Sequence, residues 1–276
     1  MRGAQAFEPC ALFVDPGKRD RIGGVGTMKE LKERAAALGV ALDEYQIAQF
    51  QAYYALLQQW NERTNLTAIA DYWGVLTKHF LDSLSCVLAL ELPPGELRLI
   101  DVGSGAGFPG LPLKIAFPEI HLTLLEANAK KTAFLHAVVD HLHLSDVTIL
   151  TARAEEAAHD PAHREAYDVA VARALAAMPV LVELCLPFVR CGGVLIAQKG
   201  DPPAAEVAAA QEALRLLGGQ LGHIQRVHVP GLDAVRHLVV VDKVAATPAR
   251  YPRRPGVPSR RPLGGTRRGA NLPQMG

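Results

Sequence analysis

The chain reads as an α/β protein: a mostly parallel, seven-stranded sheet with helices on both faces, preceded by an N-terminal helical segment. Three observations predict this. Short apolar, β-branched runs alternate with helix-length amphipathic stretches from about residue 97 to 217, the pattern of repeated βα units. The first such run ends in a glycine-rich turn that opens a helix. Two closing runs, Gly219–Val229 and Val235–Val244, follow one another with no helix between them and are expected to pair antiparallel.

Residues 1–27 lack periodicity, end in Gly23-Gly24-Val25-Gly26 and are read as a flexible extension. A helical segment over 28–92 is expected to pack on the core. Its first long helix carries Ile47, Phe50, Tyr54 and Leu57 on one face and is capped by Asp43. A polar break at Trp60–Thr67 then leads to a second helix with Val75, Leu76, Phe80, Leu84, Val87 and Leu88 on its apolar side. Trp60 and Tyr54 are read as core residues, and Lys78 and His79 as lying on or near a solvated edge, with a substrate-facing edge as the alternative. The α/β domain spans 93–244. Its strands are expected at Arg98–Val102, Ile120–Glu126, Asp146–Thr151, Tyr167–Ala172 and Val194–Gln198. Helices are expected at Leu111–Phe117, Asn128–Leu142, Ala174 to about Val189, and about Ala204–Leu217.

Composition bounds the function classes. With 49% hydrophobic and 21% charged residues the chain resembles an ordinary globular protein. Its net charge of +1 hides a gradient: residues 245–276 hold seven arginines, six prolines and no acid. Setting those seven aside from 29 Lys and Arg leaves 22 against 28 Asp and Glu, an acidic body of net −6. The tail can track phosphates electrostatically, or it can have no partner at all. Four cysteines without CxxC or metal spacing imply reduced thiols, hence a cytoplasmic protein. No run approaches the ~18 apolar residues of a membrane span. His141-x-His143 and His159-x-x-x-His163 lack supporting ligands, so no metal is expected.

The run Arg98-Leu99-Ile100-Asp101-Val102-Gly103-Ser104-Gly105-Ala106-Gly107-Phe108-Pro109-Gly110 carries the chemistry. Strand, glycine turn and helix present bare backbone N–H groups to a ligand. Gly105-x-Gly107-x-x-Gly110 formally matches a dinucleotide fingerprint. Asp101, however, stands two residues before the first glycine, where it would repel a pyrophosphate and tolerate a sulfonium. That favours S-adenosylmethionine. Glu126, at the end of the second strand, is suited to accept bonds from both ribose hydroxyls, with Ala127 and Asn128 beside the same sugar. Ala154 and Glu155 start a helix that can read the adenine edge. Lys130 and Lys131 are either solvated or available to an anionic substrate.

The fourth strand ends at Ala172-Arg173-Ala174, without the Asn/Asp-Pro-Pro-aromatic turn common in amide and exocyclic-nitrogen methylation. Neither Cys185 nor Cys191 is well placed as the nucleophile that pyrimidine C5 methylation needs. Guanine N7 has an in-plane lone pair and no proton to lose, so positioning alone can serve it. No catalytic base is therefore assigned, and Arg173 is the candidate positioning residue, for the cofactor carboxylate or for the guanine O6/N7 edge.

Several strings together resemble one family. Asn65-Leu66-Thr67-Ala68-Ile69, Lys78-His79-Phe80-Leu81-Asp82-Ser83-Leu84, Asp101–Gly110, Arg153-Ala154-Glu155-Glu156, Ala172-Arg173-Ala174, Gln198-Lys199-Gly200, Arg236-His237-Leu238-Val239-Val240 and Tyr251-Pro252-Arg253-Arg254-Pro255-Gly256 are similar to the bacterial 16S ribosomal RNA guanine-N7 methyltransferases, the glucose-inhibited division protein B family. The resemblance runs from about Leu42 to Leu263. It implies a Rossmann-like class I methyltransferase of the cytoplasm, acting on 16S rRNA or the small-subunit particle; a monomer is expected. It also implies that Gly103, Gly105, Phe108, Glu126, Ala127, Asn128, Ala154, Glu155 and Arg173 contact S-adenosyl-L-methionine. The rival readings are a methyltransferase of a small molecule or protein, which gives no reason for the arginine tail, and a non-catalytic rRNA-binding protein.

Overall fold

The leader is a stack of helices built to end against other helices. The computed structural model describes residues 28–90, 96–200 and 202–264. The extension over 1–27, the Pro-Gly stretch 91–95 and the chain end 265–276 lie outside the described residues. Helix α1 (Lys29–Ala36) precedes α2 (Glu44–Thr64), which a capping box opens: Asp43 accepts from Gln46 N, and the Gln46 side chain accepts from Asp43 N. The Gln46 amide then donates to the carbonyls of Ile115 and Ala116, and Gln49 donates to that of Leu142. Helix α2 thus satisfies carbonyls that two later helices leave open at their C-terminal ends. Its buried face is Phe50, Tyr53 and Leu57, with Ile47 and Tyr54 partly buried against the same core. The helix continues through Trp60–Thr64, where a polar break was expected. Trp60 packs there on Phe134, and the left-handed Asn65 ends the helix.

An unbroken rod follows: α3 (Tyr72–Val75), a π-helical stretch (Leu76–Leu81), α4 (Asp82–Leu84) and a 3-10 turn (Ser85–Ala89). The change of winding rotates its end, so Leu88 faces solvent instead of lying on the apolar side.

Strands β1 (Leu97–Val102), β2 (Ile120–Glu126), β3 (Val147–Thr151), β4 (Tyr167–Arg173) and β5 (Val189–Lys199) are parallel; β6 (Gly219–Val227) and β7 (Arg236–Lys243) complete the sheet in the order β3-β2-β1-β4-β5-β7-β6. Strand β7 is antiparallel to both β5 and β6 and lies between them. Cys191-Gly192-Gly193 falls inside β5 and is not the turn expected before it. Alternate residues feed two cores. Leu99 and Ile196 join the leader, α5 (Gly110–Ala116) and α6 (Ala129–His141) on one face. Ile100 and Leu195 join the opposite face. That face is covered by α7 (Ala154–Ala157), α8 (Met178–Cys185), α9 (Ala204–Ala209) and α10 (Gln211–Leu217). Helix α8 starts at Met178, not Ala174, because Ala174 takes a left-handed φ of 53° and Pro179 sits in the first turn.

The sheet order reverses between β1 and β4, and the crevice of such a switch point lies beyond the carboxyl ends of the strands. After β7 the chain does not trail away: residues 245–264 wrap back over α7 and α8, with α11 (Val257–Arg260) and with Thr247, Tyr251 and Leu263 buried.

Candidate active site

Strand β1 ends in Asp101, which is fully buried. Its Oδ2 accepts from Gly110 N at 2.8 Å, and Oδ1 has no partner. Burial pushes this carboxyl up to about 7, against the pull of the Gly110 N–H and of Arg173. Just beyond it, Gly103 N and Ser104 N donate to the carbonyl of Leu125, binding the turn to β2. Gly103 has φ 73°, and a Cβ there would come within 2.6 Å of Leu175. Gly105 has φ 60°, but a Cβ there would meet almost nothing, so the side of the turn it presents is open.

Glu126 laces this turn from the end of β2. Its Oε2 accepts from Gly105 N at 3.0 Å and its Oε1 from Asn128 N at 2.8 Å, with Lys131 Nζ 3.9 Å away. Each oxygen keeps a further lone pair for a ligand. Asn128 is the N-cap of α6, accepting from Lys130 N. A cavity of about 260 Å³ opens beside the turn, walled by Gly103, Glu126, Ala127, Lys131, Ala154, Glu155, Ala174 and Leu175 among others. Glu155 is buried and accepts from Arg153 and from Gly256 N. Burial raises its carboxyl, but those hydrogen bonds outweigh it and hold the group below its ordinary value.

Five of the nine predicted contact residues, Gly103, Glu126, Ala127, Ala154 and Glu155, therefore share one cavity. Gly105 and Asn128 join it through Glu126. Phe108 and Arg173 do not line it. Phe108 is buried between aromatic neighbours: Tyr53 stacks at 5.4 Å and His79 at 4.5 Å between ring centroids. The Arg173 guanidinium lies over the same ring at 5.1 Å. It also pairs with Asp82 at 3.0 Å, donates to the Lys78 carbonyl and lies 3.3 Å from His79 Nδ1. Asp82, itself buried, shares its other oxygen with Arg236 at 2.9 Å. Lys78 is exposed, but His79 is buried away from the solvated edge expected for it. Burial and the neighbouring Arg173 push His79 down to about 4, so the ring is neutral. The Lys78 carbonyl lies 3.1 Å from Nδ1 as well, and Nε2 lies 2.9 Å from Thr67 Oγ1.

Sequence reasoning passed over Asp82, Arg236 and Ala174. Asp82 lies inside the string Lys78–Leu84, yet nothing local to that string announces a partner on β4. Ala174, left-handed without being glycine, stores strain beside the cavity.

The glycine turn suits an adenosyl ligand. Open backbone at Gly105, the unpartnered buried atoms Asp101 Oδ1 and Ser104 Oγ, and two cavity carboxylates match a cationic nucleoside with ribose hydroxyls. Cys185 is fully buried and its thiol is pushed far up by burial, unfit as a nucleophile, whereas Cys191 is exposed on β5. Among the described residues no group of His, Cys, Asp or Glu is arranged to hold a metal ion, and no helix is long and apolar enough to cross a membrane.

Comparison with known proteins agrees with this geometry. The family model described as rRNA small subunit methyltransferase G matches residues 46–239. A protein of Roseiflexus castenholzii named Ribosomal RNA small subunit methyltransferase G is 52% identical over 236 residues, covering 86% of this chain and 100% of the relative. Relatives of the same name from Chloroflexus aggregans (49% identical; 86% and 98% covered) and Acetivibrio thermocellus (47%; 85% and 96%) align as fully. With the glycine turn, strands β1–β6 and most of α2 inside the matched region, and relatives about half identical over 86% of its length, the chain belongs to the rRNA small subunit methyltransferase G family.

Proposed function

We propose that this protein transfers a methyl group from S-adenosyl-L-methionine to N7 of a guanine in 16S rRNA. The observation that carries the reading is the cavity in which Glu126 and Glu155 face the bare backbone of Gly103 at the carboxyl ends of β1–β3. Two carboxylates there suit a nucleoside's hydroxyl and amino donors and disfavour the negative charge of a pyrophosphate. Glu126 would take the ribose hydroxyls, Ala154 and Glu155 the adenine, and the Gly103–Gly105 backbone the amino-acid end. When bound, the cofactor supplies an electrophilic methyl group on a sulfonium.

The chain's own work is then positioning. Guanine N7 attacks through a lone pair with no proton to remove, so no general base is needed, and the neutral, buried His79 is not asked to be one. Arg173, gripped by Asp82 and the Lys78 carbonyl, presents a guanidinium of nearly fixed position, suited to the O6 edge of guanine or to the cofactor carboxylate. Arg250, Arg254, Arg260 and Arg261 are exposed on the wrapped C-terminal segment and suit phosphate contacts. Arg253 is spent on Glu183.

The test is transfer of labelled methyl from the cofactor to small subunits and to naked 16S rRNA, followed by mapping of 7-methylguanine. A map unchanged between cells with and without the gene removes the reading.

A further inference from the structure

The segment after β7 is anchored more heavily than a solvent-facing tail requires. Arg164 donates to the carbonyls of Thr247 (2.7 Å), Pro248 (3.2 Å) and Tyr251 (2.9 Å), and His159 Nε2 lies 2.8 Å from that of Pro252. Glu183, fully buried on α8, then takes three bonds from Arg253: N at 2.9 Å and Nε at 2.8 Å on Oε1, Nη2 at 2.6 Å on Oε2. The same Nη2 reaches the Arg261 carbonyl at 2.7 Å and so closes the loop between them. A two-pronged guanidinium on a buried carboxylate is both strong and directional. Three residues on, Gly256 turns with φ 78° and its N–H lands on Glu155 Oε1 at 2.9 Å. Arg153 Nη2 donates to the same oxygen at 3.1 Å, so a ligand in the cavity is left Oε2.

We propose that the segment 245–263 belongs to the cofactor site at one remove: Arg253, clamped by Glu183, is a positioning residue that holds Gly256 N–H on Glu155 and so aims that carboxylate at the adenosine end. No residue of the segment lines the cavity. The inference rests on the reading that Glu155 contacts the adenosine. The segment's left-handed turn is directed at the Glu155 carboxylate, 101 residues away in sequence. A tail serving only to bind phosphates would leave its arginines outward, as Arg254 and Arg260 are.

The test is titration calorimetry of the full chain with S-adenosylmethionine and with adenosine alone, alongside melting temperature. The variants are Glu155→Ala, Arg253→Ala, their combination, and Arg253→Lys. Loss of one hydrogen bond to a charged group corresponds to about a tenfold loss of affinity. Each single alanine variant should show that loss for both ligands, and the double variant should bind no more weakly than Glu155→Ala alone. If Glu155→Ala binds as the parent does, the adenosine contact itself is wrong. If Glu155→Ala weakens binding while Arg253→Ala only lowers the melting temperature, or if the two losses multiply, the positioning role is overturned. Should Arg253→Ala not fold, Arg253→Lys, whose single ammonium cannot span both Glu183 oxygens in that way, is read by the same criteria.

Discussion

The two sides of the crevice beyond β1 and β4 are built on opposite principles. Toward β2 and β3 the wall is open: the backbone of Gly103, the small Ala127 and Ala154, and the carboxylates of Glu126 and Glu155 surround a cavity. Toward the leader the wall is filled: Arg173, Arg236, Asp82, His79 and Phe108 bond to or stack on one another. The open wall can select a small molecule by the groups it leaves unused. The filled wall leaves little to rearrange, and it holds Arg173 in place through Asp82 and the Lys78 carbonyl.

The largest effect should come from breaking the filled wall. Asp82→Ala strands two guanidiniums around a buried position and should cost about 3 kcal/mol in urea unfolding. Full stability in that variant would mean that the wall is packed rather than electrostatically held. Next, Glu126→Ala on the open wall should weaken cofactor binding by ~2 kcal/mol, the scale of hydrogen bonds to a charged group, with little change in melting temperature. Equal damage to folding would erase the contrast between the walls. Arg173→Lys should cut kcat about tenfold with KM for the cofactor unchanged, because an ammonium cannot reproduce the planar grip on Asp82, the Lys78 carbonyl and His79. A shift confined to cofactor KM would instead assign Arg173 to the open wall.

In the parent protein the smallest effect is in pH, because two buried groups offset one another. Asp101 is lifted from 3.8 to about 7 by burial, so the folded state holds its proton after the unfolded chain has lost it. Its contribution to stability is complete below pH ~4 and declines as pH rises toward 7. His79 is lowered from 6.5 to about 4, so its contribution is complete above pH ~6.5 and is lost as pH falls toward 4. Over that shared window the two oppose each other and the parent curve is flattened. Melting temperature measured from pH 4 to 7 should rise with pH in Asp101→Asn and fall with pH in His79→Gln.

The sequence made the open wall far more legible than the filled one, for a physical reason. Gly103, Glu126 and Glu155 act at strand or helix ends near their own motifs, and local spacing announces them. The capping of α2 by Asp43 and the antiparallel pairing of β6 with β7 were equally local. The filled wall joins residues 91 to 154 positions apart, and no local pattern states that Asp82 will meet Arg173 and Arg236. Winding changes in the leader rotated Leu88 outward and His79 inward, because a π turn and a 3-10 turn break the period on which face assignments rest. The Arg/Pro composition of the tail, likewise, gave no hint of the buried Glu183 waiting on α8.

The position of β7 between β5 and β6 has a consequence for synthesis. On a ribosome, β6 emerges before its partner β7, and β5 offers Val194, Leu195, Ile196 and Ala197 along an unpaired edge until Arg236–Lys243 arrives. A chain cut short before that point keeps a hydrophobic, hydrogen-bond-hungry border, the kind of surface that recruits chaperones or neighbouring chains. Premature stops before Arg236 should therefore yield aggregates rather than a soluble, weakened enzyme.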